Sequence, residues 1–222
     1  MSSKAPMINQ QRIFWNEIAE EKEFATPFHL EVFSQYLSPE ANILDYGCGY
    51  GRILYELYKA GYKNTVGIDI SEKMIIRGKS IHPYLNLHHI EGNRMDQVQF
   101  DENTFDAIIT QSLFTCIPFE DDQKNIIQQI KQMLKPGGYL FFTDFLITPN
   151  SRNRARYTRF EKKYNHYGIF ELPNGGVFRH YSQKEISELL SDFNIILSNT
   201  EVFTTMNGNL TNGIFCVAQK QK

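Results

Sequence analysis

Asn42-Ile43-Leu44-Asp45-Tyr46-Gly47-Cys48-Gly49-Tyr50-Gly51-Arg52 is an apolar run ending in an acid, then glycine at every second position, then helix-like sequence. It reads as a strand, a tight turn and the first turn of a helix. Glycine in such a turn permits φ > 0 and lets a ligand approach the main chain closely. Ile53, Leu54, Leu57 and Tyr58 then recur at the spacing of an amphipathic helix, whose unpaired first amides face the turn. A Gly-x-Gly turn opening a helix commonly holds a dinucleotide pyrophosphate. Here Arg52 stands where the third glycine of that fingerprint belongs, and the Asp45 carboxylate would repel a pyrophosphate. An acid in that place suits a ligand with an ammonium group.

Thr65-Val66-Gly67-Ile68-Asp69 is a second apolar strand ending in an acid, 24 positions beyond Asp45. An acid at the tip of the second strand of a βαβ unit is placed to bond ribose hydroxyls. The implied ligand is a nucleoside with a positively charged arm.

Asp45-x-Gly47-x-Gly49-x-Gly51 followed by Asp69 resembles the class I S-adenosylmethionine methyltransferase family. The resemblance implies an α/β fold, a Rossmann-like doubly wound sheet of seven strands with the last antiparallel, and S-adenosylmethionine as cofactor. It places Asp45, Gly47, Cys48 and Gly49 around the methionine arm, Asp69 at the ribose, and Ile70 and Met74 as further cofactor contacts. Gly92-Asn93-Arg94-Met95 stands where the family often has Gly-Asp or Gly-Asn, which implies that Asn93, Arg94 and Met95 hold the adenine. Gln111, at the tip of the fourth strand, falls near the methionine carboxylate or the methyl. The motifs cover about residues 40 to 146; element order carries the rest.

With 222 residues, 41% hydrophobic and 14% aromatic, the chain can bury one sizeable core, and 1–222 is expected to form a single domain. A formal charge of −2 predicts no general affinity for nucleic acid or anionic membrane. No apolar run approaches the ~20 residues of a membrane span, and Met1-Ser2-Ser3-Lys4-Ala5-Pro6 lacks a signal-peptide core, so a cytoplasmic protein is expected. Cys48, Cys116 and Cys216 are odd in number and lack metal-ligand or redox spacing, so no metal is expected.

In chain order, residues 9 to 22 and the segment after Pro27 predict two helices ahead of the first strand, a cap over 1–40. In related methyltransferases such helices often fold over the cofactor, which would bring Phe14, Trp15 or Tyr36 to the ligand; the alternative, favoured for any one of these residues, is that it only caps the core. Ser71 reads as the N-cap of a helix through about 80, and His82-Pro83 ends it. Adjacent His88 and His89 in the third strand point to opposite faces, which argues against a metal pair. Thr110-Gln111-Ser112-Leu113 is not the Asn-Pro-Pro-Tyr signature of nucleobase amino-methylation in the family. Lys135-Pro136-Gly137-Gly138 reads as a turn before a fifth strand at 139–144.

Residues 147–181 interrupt the alternation of strands and helices. Arg152, Arg154, Arg156, Arg159, Lys162 and Lys163 are interleaved with Tyr157, Phe160, Tyr164 and Tyr167. An insertion after the fifth strand commonly shapes the acceptor pocket in this fold, and these cations would suit a carboxylate or phosphate on the acceptor; a solvated amphipathic helix is the alternative. Leu172-Pro173-Asn174-Gly175-Gly176-Val177 reads as a hairpin turn and Ser182-Gln183-Lys184-Glu185 as a capping box. His180 is the leading candidate for a catalytic base, with His166 and Tyr181 behind it. The expected activity is methyl transfer to O, N or S of a small molecule by a monomer or homodimer. An RNA or protein acceptor, or a non-catalytic S-adenosylmethionine-binding protein, remains open.

Overall fold

A computed structural model describes residues 4–92 and 100–221. Two helices, α1 (Lys4–Glu17) and α2 (Leu30–Tyr36), precede β1 (Ile43–Tyr46). Then α3 (Arg52–Lys59), β2 (Thr65–Asp69), α4 (Glu72–Ile81), β3 (Leu87–His89) and β4 (Phe105–Gln111) alternate, followed by α5 (Glu120–Met133) and β5 (Leu134–Phe145). The insertion is α6 (Ser151–Tyr164) and a hairpin of β6 (Ile169–Glu171) and β7 (Val177–Arg179). Helix α7 (Gln183–Leu189), β8 (Phe193–Thr204) and β9 (Leu210–Lys220) complete the chain.

Seven strands form one sheet in the order β3-β2-β1-β4-β5-β9-β8. The first five pair in parallel, and β9 runs antiparallel between β5 and β8. Strand order reverses between β1 and β4, the place where open α/β sheets leave a crevice at their carboxyl ends. Asp45, Asp69 and Gln111 all stand at that end of the sheet.

Alternation along β4 builds a core on each face. Ile108 packs with Ile126 and Ile130 of α5, while Ala107 and Ile109 pack with Leu54 and Leu57 of α3 and Phe33 of α2. Each such fully buried side chain contributes roughly 1.5–3 kcal/mol. These two layers clamp the sheet and fix the strand tips.

Three expectations need correction. Helix α1 occupies 4–17 rather than 9–22, because Arg77 of α4 donates to the carbonyls of Ala19 and Lys22, both at 2.8 Å, and draws the following segment into turns. Strand β5 begins at Leu134, which pairs with Phe105, and Gly137 at φ 78° sits in an irregular stretch of that strand instead of a preceding turn. Tyr36 packs on Tyr139 and Phe141, away from the crevice, because it lies on the face of α2 that covers the sheet. Phe14 is likewise a core residue, packed with Tyr157, Phe170 and Phe178.

Candidate active site

The turn after β1 is built by its glycines. Gly47 and Gly49 adopt φ 83° and 56°, the left-handed region, and a Cβ on Gly49 would run into the Phe24 ring. A side chain there would therefore close the cradle. The Gly47 and Cys48 amides donate to the carbonyl of Ile68 at 2.8 and 3.0 Å, which fastens the turn to β2.

Asp69 is held from both sides. Its Oδ2 accepts from the Gly49 amide at 2.8 Å and its Oδ1 from the Ser71 amide at 2.7 Å. Ser71 caps α4 as the sequence predicts, its hydroxyl accepting from the Met74 amide at 3.2 Å. Burial raises the Asp69 carboxyl above its ordinary value. Asp45 is 2% exposed, and burial pushes it up to about 7, with Arg52 pulling down and Asp69 pushing up. A buried carboxylate near neutrality gains from a cationic ligand, and a glycine cradle beside a second acid fits a cationic nucleoside.

One cleft runs from these strand tips toward the insertion. Asp45, Gly47, Cys48, Gly49, Asp69, Ile70, Met74 and Gln111, all named from the sequence as cofactor contacts, line it together. Asn93, Arg94 and Met95 lie outside the described residues. The Gln111 side-chain amide donates to the Pro27 carbonyl at 2.8 Å, tying β4 to the segment that leads into α2.

The far part of the cleft is lined by His180, Arg152, Arg156, Phe145, Phe170 and Phe178. His180 follows β7 and is 4% exposed. Its Nδ1 lies 2.7 Å from the Tyr157 hydroxyl and its Nε2 3.5 Å from Arg156 Nη2. An arginine can only donate, so Nε2 carries the lone pair and Nδ1 the proton. Burial and the charges of Arg156 and Arg152 push the imidazole well below its ordinary range, which keeps it neutral. Tyr181 donates to the Phe114 carbonyl and packs in the core, and His166 pairs with Glu185; neither lines the cleft. Arg159 is exposed on α6 and lies against Phe160.

Sequence reasoning missed Phe24, Gln11, Cys116 and the β8–β9 turn, where Thr205 and Met206 line the cleft. Phe24 stacks on Tyr50 at 5.0 Å and 10° and covers the glycine turn. These residues arrive from distant parts of the chain, which no local sequence pattern brings together.

The profile of a methyltransferase domain matches residues 18–196. The chain belongs to that methyltransferase family. S-adenosylmethionine is its methyl donor. It is similar over 201 residues, at 27% identity, to the ubiquinone/menaquinone biosynthesis C-methyltransferase UbiE of Wigglesworthia glossinidia brevipalpis, covering 84% of this chain and 76% of that protein. An eEF1A lysine and N-terminal methyltransferase of Mus musculus is 29% identical over 112 residues, 49% of this chain and 16% of that much longer protein. The solved structure of a SAM-dependent methyltransferase from Methanosarcina mazei superposes with a TM-score of 0.79 at 26% identity, covering 88% of this chain and 99% of that one.

Proposed function

We propose that the chain transfers a methyl group to a nucleophilic O, N or S atom of a small-molecule acceptor held between the strand tips and the insertion. The observation that carries this is the continuity of the cleft: residues at both ends, Asp69 and His180, line the same cavity. Asp45 and the Gly47–Gly49 turn would hold the charged arm of the cofactor, and Asp69 its ribose. S-adenosylmethionine, when bound, supplies a methyl already activated on a sulfonium.

The chain's own part is then placement. Fixing the acceptor at near-attack distance is worth roughly 7 to 11 kcal/mol of barrier. Trp15, Phe24 and Met206, each half-buried, add apolar surface to the cleft. Where the acceptor atom bears a proton, neutral His180 would take it on Nε2 once Arg156 turns from that lone pair to the acceptor, with Tyr157 fixing the ring from Nδ1. Arg154, Arg159 and Lys162, exposed on α6, favour a second reading in which an RNA or an acidic protein is the acceptor. Incubation with radiolabelled S-adenosylmethionine and fractionated cell extract separates the two: label in low-molecular-weight products supports the first, and label in RNA or protein supports the second.

A further inference from the structure

Arginines of this protein that are drawn into the fold mostly have a counter-charge. Arg179 reaches Glu185 at 2.5 Å, Arg52 reaches Glu56 at 2.8 Å, and Arg77 pairs with Glu23. Arg156 differs. It is half-buried in the wall of the cleft, its guanidinium lies 3.5 Å over the Phe170 ring, and its polar contacts are His180 Nε2 and the Tyr157 hydroxyl, both neutral. Its Nε–H is buried and reaches no acceptor. Arg152, one helical turn earlier and itself exposed, lines the same cleft, and its Nη2 reaches Asn153 Oδ1 at 3.4 Å, so the burial cost falls on Arg156 alone. Among the described residues neither arginine forms an ion pair.

Such an arrangement is unfavourable for the empty protein. Like charges at i and i+4 of a helix repel, and a cation taken out of water without a partner loses hydration that nothing replaces. Burial pulls the Arg156 guanidinium down to about 10, with Tyr157 opposing the shift and Arg152 adding to it. The wall beside the pair is apolar, formed by Phe145, Phe170 and Phe178, with the Phe145 ring close to parallel with the His180 imidazole at 23° and the Phe170 ring nearly perpendicular to it at 87°. The cations call for an anion and the rings for an apolar body, in one cavity.

We propose that the methyl acceptor is a small, largely apolar acid whose carboxylate or phosphate monoester is held by Arg156 and Arg152 while its body lies among Phe145, Phe170 and Phe178. This rests on the acceptor-pocket reading above and narrows it to a chemical class. Arginine suits either anion, since its planar fork matches both geometries. An acid held at the α6 end would leave the remainder of the molecule directed along the cleft toward the strand tips.

The test is calorimetric. S-adenosylhomocysteine is titrated first, and a wild-type protein that does not bind it overturns the cofactor-site reading itself and this proposal with it. The loaded protein is then titrated with 4-hydroxybenzoate, phenyl phosphate and the neutral 4-hydroxybenzamide. At least one acid is expected to bind ten times or more tightly than the amide, and the stronger of the two identifies the anion. Arg156→Met, which keeps an apolar stem over Phe170, should weaken that acid at least tenfold, and Arg152→Met should weaken it in the same direction. Arg154→Met, exposed and outside the cleft, should leave it unchanged. An amide that binds as well as the acids, no binding by either acid, or full acid affinity in both Arg156→Met and Arg152→Met overturns the proposal. Should Arg156→Met fail to fold, Arg152→Met decides alone.

Discussion

The main-chain amide of Gly49 donates to Asp69 Oδ2 at 2.8 Å. This bond links the turn that follows β1 to the acid at the tip of β2, so the two halves of the cofactor signature form one rigid unit. Gly49→Ala should break it. The new Cβ needs a left-handed φ and the space of the Phe24 ring. Strain of that kind costs about 1–3 kcal/mol. Affinity for S-adenosylhomocysteine should fall at least tenfold by calorimetry, with a lower unfolding temperature.

The two buried acids predict an unusual dependence of stability on pH. Asp45 and Asp144 are each pushed up to about 7 by burial. An unfolded aspartate titrates near 4, so between about pH 4 and 7 the folded protein holds protons that the unfolded chain has released. Their contribution is therefore full below about pH 4 and is lost as pH rises through 7. Urea titrations of ligand-free protein should show this decline, and Asp45→Asn should flatten it, gaining roughly 1–4 kcal/mol relative to wild type at pH 7.5.

Cofactor affinity should show the opposite trend. A cationic ligand selects the ionised form of Asp45, so binding releases a proton below pH 7 and weakens by up to about tenfold per pH unit. Titrations in buffers of different ionisation enthalpy would detect the released proton. Asp45→Asn should bind weakly at every pH and show no such slope.

Arg77 holds one side of the cleft. Its two bonds to the Ala19 and Lys22 carbonyls, its pairing with Glu23 and its position 4.2 Å over the Tyr50 ring anchor the segment that carries Phe24. Arg77→Met removes both bonds, at about 0.5–1.5 kcal/mol each. The expected result is a KM for S-adenosylmethionine raised several-fold or more, with kcat changed less.

His180→Gln discriminates a base from a prop. Loss of a general base lowers kcat typically 10²- to 10⁴-fold and removes the acidic limb of its pH profile. S-adenosylhomocysteine affinity should stay unchanged, since His180 lies at the far end of the cleft. A kcat within twofold of wild type would leave His180 only the task of holding Arg156.

The strand-tip end of the candidate site was legible because its determinants are local. Asp45, the glycines and Asp69 sit within one βαβ unit, and the cap made by Ser71 and the box made by Ser182 and Glu185 follow from bonding three residues along the chain. The insertion end was legible only in part. Arg152, Arg156 and His180 belong to a conspicuous insertion, yet only the fold shows that Arg159 turns away while Phe145 turns in. The apolar lining was not legible. Trp15, Phe24 and Met206 meet from positions up to nearly two hundred residues apart, and a helical pattern over 9–22 could not reveal that Arg77 would capture the carbonyls at 19 and 22.

The central claim is that two carboxylates at neighbouring strand tips grip S-adenosylmethionine. Calorimetric titration of S-adenosylhomocysteine into wild-type protein and Asp69→Ala, alongside circular dichroism, addresses it directly. Saturable one-to-one binding by the wild type, weakened at least about 100-fold in a variant of unchanged secondary structure, is the predicted result; a loss of about 3 kcal/mol is what a buried, charged partner supplies. Equal affinity of the two proteins would contradict it.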